Sequence, residues 1–270
     1  MQEWSNKWLL KFNASKCKVM RLGVNQPDFV YQMLSSNGIT VLDVTTLEKD
    51  LGIHVDDKLR LKSHAELAVA KANRILGLIR RSYEFLDANC LKNLYIGLVR
   101  PHLEYGHTVW PLNYKTDRTI VENVQHRATK LVPELKNLPY TERLEKLNLP
   151  SIAYRRCRGD MIEVYKYLNG KYAVDLSFLP RSMNSNRCHS FKLQKQHSKY
   201  KLRHDFFSLR VVDLWNSLPE SVVSSPSINS FKNRLDKFWH KHKYNEVPPC
   251  IKSHYSTEEI SDSEEQSTGL

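Results

Sequence analysis

The segment from Lys115 to Gly170, KTDRTIVENVQHRATKLVPELKNLPYTERLEKLNLPSIAYRRCRGDMIEVYKYLNG, limits what this chain can become more than any other. Its apolar residues recur at helical spacing in three runs, separated by prolines and closed by a glycine. Ile120, Val121, Val124, Ala128 and Leu131 form one stripe, the period of a helix with one buried face. Thr116 or Asp117 is the expected cap, because a short side-chain oxygen accepts from the orphan amides of a first turn. Asn123, His126, Arg127 and Lys130 run down the flank of the stripe, and Pro133 closes the helix, since proline lacks the amide and clashes with the preceding turn. A short second helix has Pro139 near its start, with Leu144 and Leu147 inward. A third follows Pro150, is capped by Ser151 and stops at Gly170 in the left-handed conformation. Its apolar face is Tyr154, Cys157, Met161, Tyr165 and Leu168, while Arg155, Arg156 and Arg158 crowd its first turns. Cations there oppose the helix dipole, a cost that an anion or a nearby carboxylate would offset.

Charge sets the expected partner. The chain of 270 residues carries 41 Lys/Arg against 29 Asp/Glu, a formal net charge of +12. Five of the acids, Glu258, Glu259, Asp262, Glu264 and Glu265, fall in the last thirteen residues, which hold no Lys or Arg. The remainder is more basic still, and between Ala153 and Arg210 thirteen Lys/Arg face four Asp/Glu. Such a body is expected to bind a polyanion, of which nucleic acid is the commonest inside cells. The mean hydropathy of -0.52 and the lack of any run near the ~20 apolar residues of a spanning helix argue against a membrane protein. No secretory signal is visible. Five scattered cysteines (Cys17, Cys90, Cys157, Cys188, Cys250) read as free thiols of a reducing, intracellular compartment.

The rest of the chain falls into distinct stretches. Residues 1–60 read as a small α+β piece, too small to stand alone and resembling the tail of something larger. It has a strand-like run from Cys17 to Leu22 and further strand candidates in FVYQM, GITVLDV and KDLGIHV, with Asn37-Gly38 as a turn signal. Residues 61–170 read as a helical domain. Ala65, Val69, Ala72, Leu76 and Ile79 face inward from its first helix. A second helix, capped by Asp87, carries Leu91, Leu94, Tyr95 and Leu98 and is kinked or ended at Pro101. Residues 171–245 are a basic extension in which 181–204 read as a loop or binding arm, Phe206–Asn216 as an aromatic segment that must dock, and the stretch after Ser227 as an amphipathic helix with Phe231, Leu235 and Phe238 or Trp239 inward. Residues 246–270, polar and acidic, are expected to be disordered.

Few constellations carry chemistry. Asp56-Asp57 is a pair of the type that two-metal polymerases use as adjacent carboxylates, but it sits between a strand and a helix start, where acids are ordinary turn and cap residues. His240, His242 and Cys250, or Cys188-His189, lack the paired spacing of structural zinc sites. No nucleophile occupies a glycine-flanked elbow, and no phosphate-loop glycine pattern occurs. Binding remains. Basic and aromatic residues alternate in Arg155, Arg156, Tyr165, Lys166, Tyr167, Lys171, Tyr172 and again in Lys199, Tyr200, Lys201, which suits phosphate contact with stacking, although Tyr154 and Tyr165 read as core.

An ordered set of stretches extends this reading: WSNKWLLKFNASKCKVMRLG, DLGIHVDDKLRLKSH, VAKANRILGLIRR, LYIGLVRPHLEYGHTVW, IVENVQHRATKLVPELKNLPYTERLEKLNLPSIAYRRCRGDMIEVYK, FFSLRVVDLWNSLPESVV and SFKNRLDKFW. Together they resemble the C-terminal part of the reverse transcriptases of non-LTR, LINE-type retrotransposons of the jockey-like kind. The resemblance implies that residues 1–60 are the end of a polymerase palm, with Asp50-Leu51-Gly52-Ile53 as the strand called the primer grip, and that a helical thumb follows. The fold class expected is thus mainly α with a small N-terminal α+β remnant. The family's aromatic-Ala-Asp-Asp turn occurs nowhere in this chain, so no residue is carried over as catalytic. No cofactor is expected for this chain, Mg2+ belonging only to a complete polymerase. The implied partner is an RNA or DNA template–primer, the implied location the nucleus, and the expected phosphate contacts are Arg127, Lys130, Arg155, Arg156 and Arg158. The alternatives are part of an active polymerase whose upstream portion is missing from the gene model, or a decayed element without function.

Overall fold

The computed structural model describes residues 2–23, 28–35, 38–112, 114–173, 178–182 and 189–245. Cys188, Cys250, the Asn37 half of the turn signal and the acidic 246–270 stretch lie outside them. The fold is mainly α with three small sheets. Its contacts divide it into two units, Met1–Glu66 and Leu67–Leu270.

The first unit contains α1 (Gln2–Trp8) and six short strands, β1 (Lys18–Met20), β2 (Gln32–Ser35), β3 (Gly38–Val41), β4 (Asp43–Thr45), β5 (Leu47–Asp50) and β6 (Ile53–Asp56). They pair two by two: β1 runs parallel to β4, while β2–β3 and β5–β6 are antiparallel. KDLGIHV is therefore not one strand. Leu51 and Gly52, with φ of 45° and 88°, form the two-residue turn of the β5–β6 hairpin. Positive φ at both central positions matches the right-handed twist of the flanking strands. The segment likened to a primer-grip strand is thus a hairpin tip. Asp56 acts as a turn residue, its carboxylate accepting from the amides of Lys58 at 3.0 Å, Arg60 at 3.1 Å and Leu61 at 2.8 Å. That use fits a cap and leaves it unlike a metal ligand.

The β2–β3 hairpin is turned inside out relative to an ordinary amphipathic ribbon. Leu34 pairs with Ile39 and Gln32 with Val41, so these residues share a face, because alternate residues point to the same side. Leu34, Ile39 and Val41 on that face are all more than half exposed, as are Phe29 and Val30 ahead of it. An apolar ribbon face of this kind is an association hazard. Replacing Leu34 and Ile39 together by Thr, which keeps strand propensity, is expected to raise the soluble fraction and lower dye binding to exposed apolar surface. The melting temperature should stay unchanged. An unaltered soluble yield would show that this face is not where the chain associates.

The second unit is helical. It comprises α2 (Lys62–Ser82, whose first turns belong to the first unit), α3 (Ala88–Leu94), α4 (Arg100–Glu104), α5 (Lys115–Thr129), α6 (Tyr140–Leu147) and α7 (Ile152–Leu168). After these come α8 (Lys201–His204), α9 (Phe207–Arg210), α10 (Val212–Asn216), α11 (Glu220–Val223) and α12 (Ile228–Phe238). The expected caps at Asp87 and Ser151 and the Gly170 stop are present, and Ser227 adds a cap that was not anticipated. Asp87 accepts from Asn89 and Cys90 N–H, Ser151 from Tyr154 N–H and Ser227 from Ser230 N–H, while Gly170 has φ of 63°. The α5 start differs, because the helix begins at Lys115 after Tyr114. Thr116 and Asp117 lie inside its first turn, where an acid still suits the dipole.

One helical phase also differs. Between α3 and α4 the chain makes a π-turn over Tyr95–Val99, which inserts one residue and lets Pro101 sit near the start of α4. The buried residues become Leu91, Tyr95, Val99 and Leu103, and Leu98 turns outward. A run of four-residue steps is what a π-bulge produces.

A single core joins α7 to the stretch from Val211 to Trp239, with Met161, Val164, Trp215, Phe231 and Leu235 at its centre. Tyr165 stacks on Phe231 at 4.4 Å. The aromatic segment docks as expected, and Trp239 rather than Phe238 faces in. Part of the expected arm is pinned as well: Asn216 exchanges two hydrogen bonds with the Leu193 backbone, and the Trp215 indole donates to Phe191 O at 2.8 Å.

Candidate nucleic-acid interface

The five expected phosphate contacts separate into two groups. Arg155, Arg156 and Arg158 are spent inside the protein. Arg155 makes a bidentate pair with Glu104, and Arg158 makes one with Asp236, which also accepts from Tyr154 Oη at 2.9 Å. Arg156 is only 7% exposed. It donates to Leu103 O at 2.9 Å and to Trp110 O, with its guanidinium 4.0 Å over the Trp110 ring. Burial pushes Arg156 down to about 10, still charged at neutral pH.

The anion anticipated at the start of α7 is thus supplied internally. Glu122 on α5, which the sequence does not single out, is buried and accepts from the amides of Ile152 and Ala153 at 3.1–3.3 Å and from Tyr140 Oη at 2.5 Å. It serves the α7 N-terminus as a cap borrowed from another helix. Burial, then the Glu122 charge, pushes the Tyr140 phenol well above its ordinary range. Gln125, one turn on, accepts from Tyr95 Oη and donates to Pro150 O.

Arg127 and Lys130 have a different fate. Both are exposed at the C-terminal end of α5, and they line a groove of about 750 Å³ whose other walls include Asn73, Gly77, Arg80 and Tyr83 from α2 and its end, and Lys136. Asn73, Gly77 and Arg80 follow at four- and three-residue steps and so share one helical face. The groove therefore gathers four cations, Arg80, Arg127, Lys130 and Lys136, with Glu84 as the carboxylate on its wall. Among the described residues none of the four is in an ion pair. Arg127 is steadied by its Nε donating to Asn123 O at 3.1 Å, which leaves the outer guanidinium nitrogens facing out. Half-exposed Tyr83 offers a ring beside them. Sequence reading found Arg127 and Lys130 but missed Arg80 and Lys136, which lie nearly fifty residues before and six after. The one available hint was that basic residues in a last helical turn are exposed and dipole-favoured.

The cationic character belongs to this unit. Residues 1–66 hold nine Lys/Arg against eight Asp/Glu, leaving 32 against 21 for residues 67–270. A second basic and aromatic stretch, Lys199–Phe206, is also exposed, with Tyr200 at 70% and Lys201 4.5 Å over the Tyr114 ring.

Two histidines give the unit an acid-sensitive interior. His107 lies against Gly159, where a Cβ would come within 2.6 Å of its Nε2, and 3.4 Å from Asp160. Burial pushes its pKa below 6.5, against the pull of Asp160, and Arg156 and Arg210 push the same way as burial. His189 is likewise lowered, chiefly by burial, and approaches Trp215 O at 3.2 Å. Both are held neutral in the fold, so on acidification the unfolded chain takes up their protons first. Stability should be full above the unfolded value of 6.5 and should drain away as the pH falls through the lower folded values. A melting temperature that is flat from about pH 7 to 8 and falls toward about pH 5 is expected, with a shallower fall in His107→Gln.

Among the described residues no three His, Cys, Asp or Glu side chains converge as a metal site, and no helix is long and apolar enough to cross a membrane. Among the described residues Cys17 and Cys90 are free thiols.

No family model matches the chain, and no solved structure matches it. An uncharacterized protein of Caenorhabditis elegans is similar, with 28% identity over 137 residues, covering 49% of this chain and 69% of the nematode protein.

Proposed function

We propose that this chain is a nucleic-acid-binding, non-catalytic piece of a retrotransposon-type RNA-directed DNA polymerase, which holds a template–primer by its phosphates. The observation that carries the reading is the groove. It brings together four exposed cations and one tyrosine from α2, the end of α5 and the turns that follow each helix, the combination that tracks a sugar–phosphate backbone and stacks a base without reading sequence. In this reading residues 1–60 act as the end of the palm, 61–170 as the thumb and 171–245 as its extension. The order of the sequence stretches supports that assignment. Arg127 and Lys130 are the phosphate contacts retained from the sequence, joined by Arg80 and Lys136. Arg155, Arg156 and Arg158 instead tie α7 to Glu104, to the Leu103 and Trp110 carbonyls and to Asp236. Without the paired carboxylates of the aromatic-Ala-Asp-Asp turn the chain does not transfer nucleotides, and Mg2+ would enter only with a complete polymerase. A nuclear site of action follows from the same resemblance.

The test is binding of the full chain to labelled duplex and single-stranded probes of unrelated sequence across a salt series. Sequence-indifferent binding with a log–log salt slope of about -3 or steeper is expected, from counterion release at four or more phosphates. A flat slope, or preference for one sequence, would overturn the reading.

The outward apolar face of the β2–β3 hairpin favours a second reading, in which further polypeptide covers that face and the chain is part of an active polymerase. Mapping the 5′ end of the transcript decides between them. An in-frame aromatic-Ala-Asp-Asp segment upstream of Met1 supports the second reading, and a message beginning near Met1 removes it.

A further inference from the structure

We propose that the groove seats an unpaired nucleic-acid strand directly against the backbone of α2 at Gly77, with a base on the Tyr83 ring and phosphates on Arg80, Arg127, Lys130 and Lys136. The inference rests on reading that groove as a nucleic-acid site. It adds the form of strand the groove takes and the residue that makes room for it.

The fold itself gives no reason for Gly77. It lies in the interior of α2 (Lys62–Ser82) and has ordinary helical backbone, unlike Gly170 with its φ of 63°. A Cβ placed on it would meet the outer guanidinium nitrogen of Arg81 at 3.8 Å and, beyond its own stretch of helix, no other described atom within 4 Å. That is ordinary van der Waals contact, so alanine would fit. Gly159 is the contrast, because a Cβ there would come within 2.6 Å of the His107 ring. A glycine inside a helix weakens it, since the unfolded chain gains freedom that folding must remove. Gly77 thus weakens α2 without relieving a clash or a dihedral.

Its position supplies the reason. Gly77 is on the groove wall between Asn73 one turn before and Arg80 one turn after, with Tyr83 beyond them. From Asn73 to Arg80 the helix advances about 10 Å at 1.5 Å per residue, about three phosphate steps of one strand at roughly 3.4 Å each. Arg127, Lys130 and Lys136 line the rest of the groove. A side chain missing from the middle of such a stripe lets a ligand reach the helix backbone, a use to which glycine is suited. Two observations favour one strand over a duplex. The groove of about 750 Å³ has the size of clefts that enclose a single small ligand. The Tyr83 ring, 42% exposed, can stack only on a base that is unpaired.

The test is substitution at Gly77 in the full chain, read by melting temperature and by affinity for a labelled oligonucleotide, single-stranded or annealed to its complement. Gly77→Ala should raise the melting temperature by about 2 to 4 °C. It should also weaken single-strand binding about fivefold, and Gly77→Leu about fiftyfold, because overpacking a close contact grows with added volume. Duplex binding should fall less. Gly97→Ala, at an exposed glycine of the π-turn that also has open space at its Cβ and is not on the groove wall, should leave affinity unchanged. Stability and affinity moving in opposite directions is the signature, since a glycine needed for packing would lose both. A lowered melting temperature in Gly77→Ala, or unchanged affinity in Gly77→Leu, overturns the proposal, and equal weakening toward duplex overturns the unpaired strand. If alanine at the four cations abolishes binding while Gly77→Leu binds as the parent does, the phosphate reading stands and the seat at Gly77 falls. If the parent chain binds neither probe, both fall.

Discussion

Alanine at Arg80, Arg127, Lys130 and Lys136 together is expected to weaken nucleic-acid binding about a hundredfold near physiological salt and to flatten the log–log salt slope by about 3 to 4. Each neutralised phosphate contributes slightly less than one unit of slope through released counterion. All four side chains are exposed and without an ion pair among the described residues. Removing them breaks no internal contact beyond the Arg127 bond to its own helix, so the melting temperature should move little, and circular dichroism would show the fold unchanged. The loss should be the same for unrelated sequences, because phosphate contacts position a duplex without reading it. Tyr83→Ala is a finer probe. It should reduce affinity for a single strand more than for a duplex, since only unpaired bases are free to stack on the ring. If the quadruple variant binds as the parent does, the groove is not the interface, and the exposed Lys199–Phe206 stretch becomes the site to examine.

Arg156→Ala should act in the opposite way, on folding rather than on binding. The side chain is buried and reaches between Leu103 O and Trp110 O while its guanidinium covers the Trp110 ring. Truncation leaves two buried carbonyls without their donor and a void beside an indole. A cost of about 3 kcal/mol follows from losing charge-assisted bonds to groups that stay buried. Arg156→Lys should recover only a fraction of it, because an ammonium lacks the planar fork that serves two acceptors and stacks on a ring. Chemical denaturation measures the loss directly. Had Arg156 been a phosphate contact, its removal would leave stability untouched and lower the salt slope by about one unit.

These two variants divide residues that the sequence presents as alike. Arg127 and Arg156 are both arginines on amphipathic helices, and nothing in their neighbours separates a free cation from a buried strut. Arg156 meets its partners 46 and 53 residues away, Arg155 meets Glu104 51 residues away, and Arg158 meets Asp236 78 residues away. A carboxylate that distant leaves no periodic or local trace. The sequence indicated only that cations at the α7 start called for a compensating anion. Three acids on three other elements, Glu122, Glu104 and Asp236, provide it.

Local features were legible for the converse reason. Ser151 and Asp87 cap helices through bonds spanning two or three residues, and Gly170 stops one through its own φ. Such interactions are complete within a single turn of chain and can be read from a short window. The helical period identified Val121, Val124, Ala128, Leu144, Leu147 and Met161 as core, because burial of one face imposes that period. It failed at Leu98, where the π-turn inserts one residue, and at KDLGIHV, where Leu51 takes a positive φ that leucine does not advertise.

The sequence by itself therefore determined that the chain is mainly helical, where most of its helices start and stop, which faces they bury, and that it carries excess positive charge. Each of these depends on neighbours within about four residues, or on composition alone. Only the tertiary structure decided which of the cations are available. It consumed Arg155, Arg156 and Arg158 in holding α7 to distant elements and left Arg127 and Lys130 beside Arg80 and Lys136. Pairing energy depends on distance in space, and that distance is set only when the helices pack.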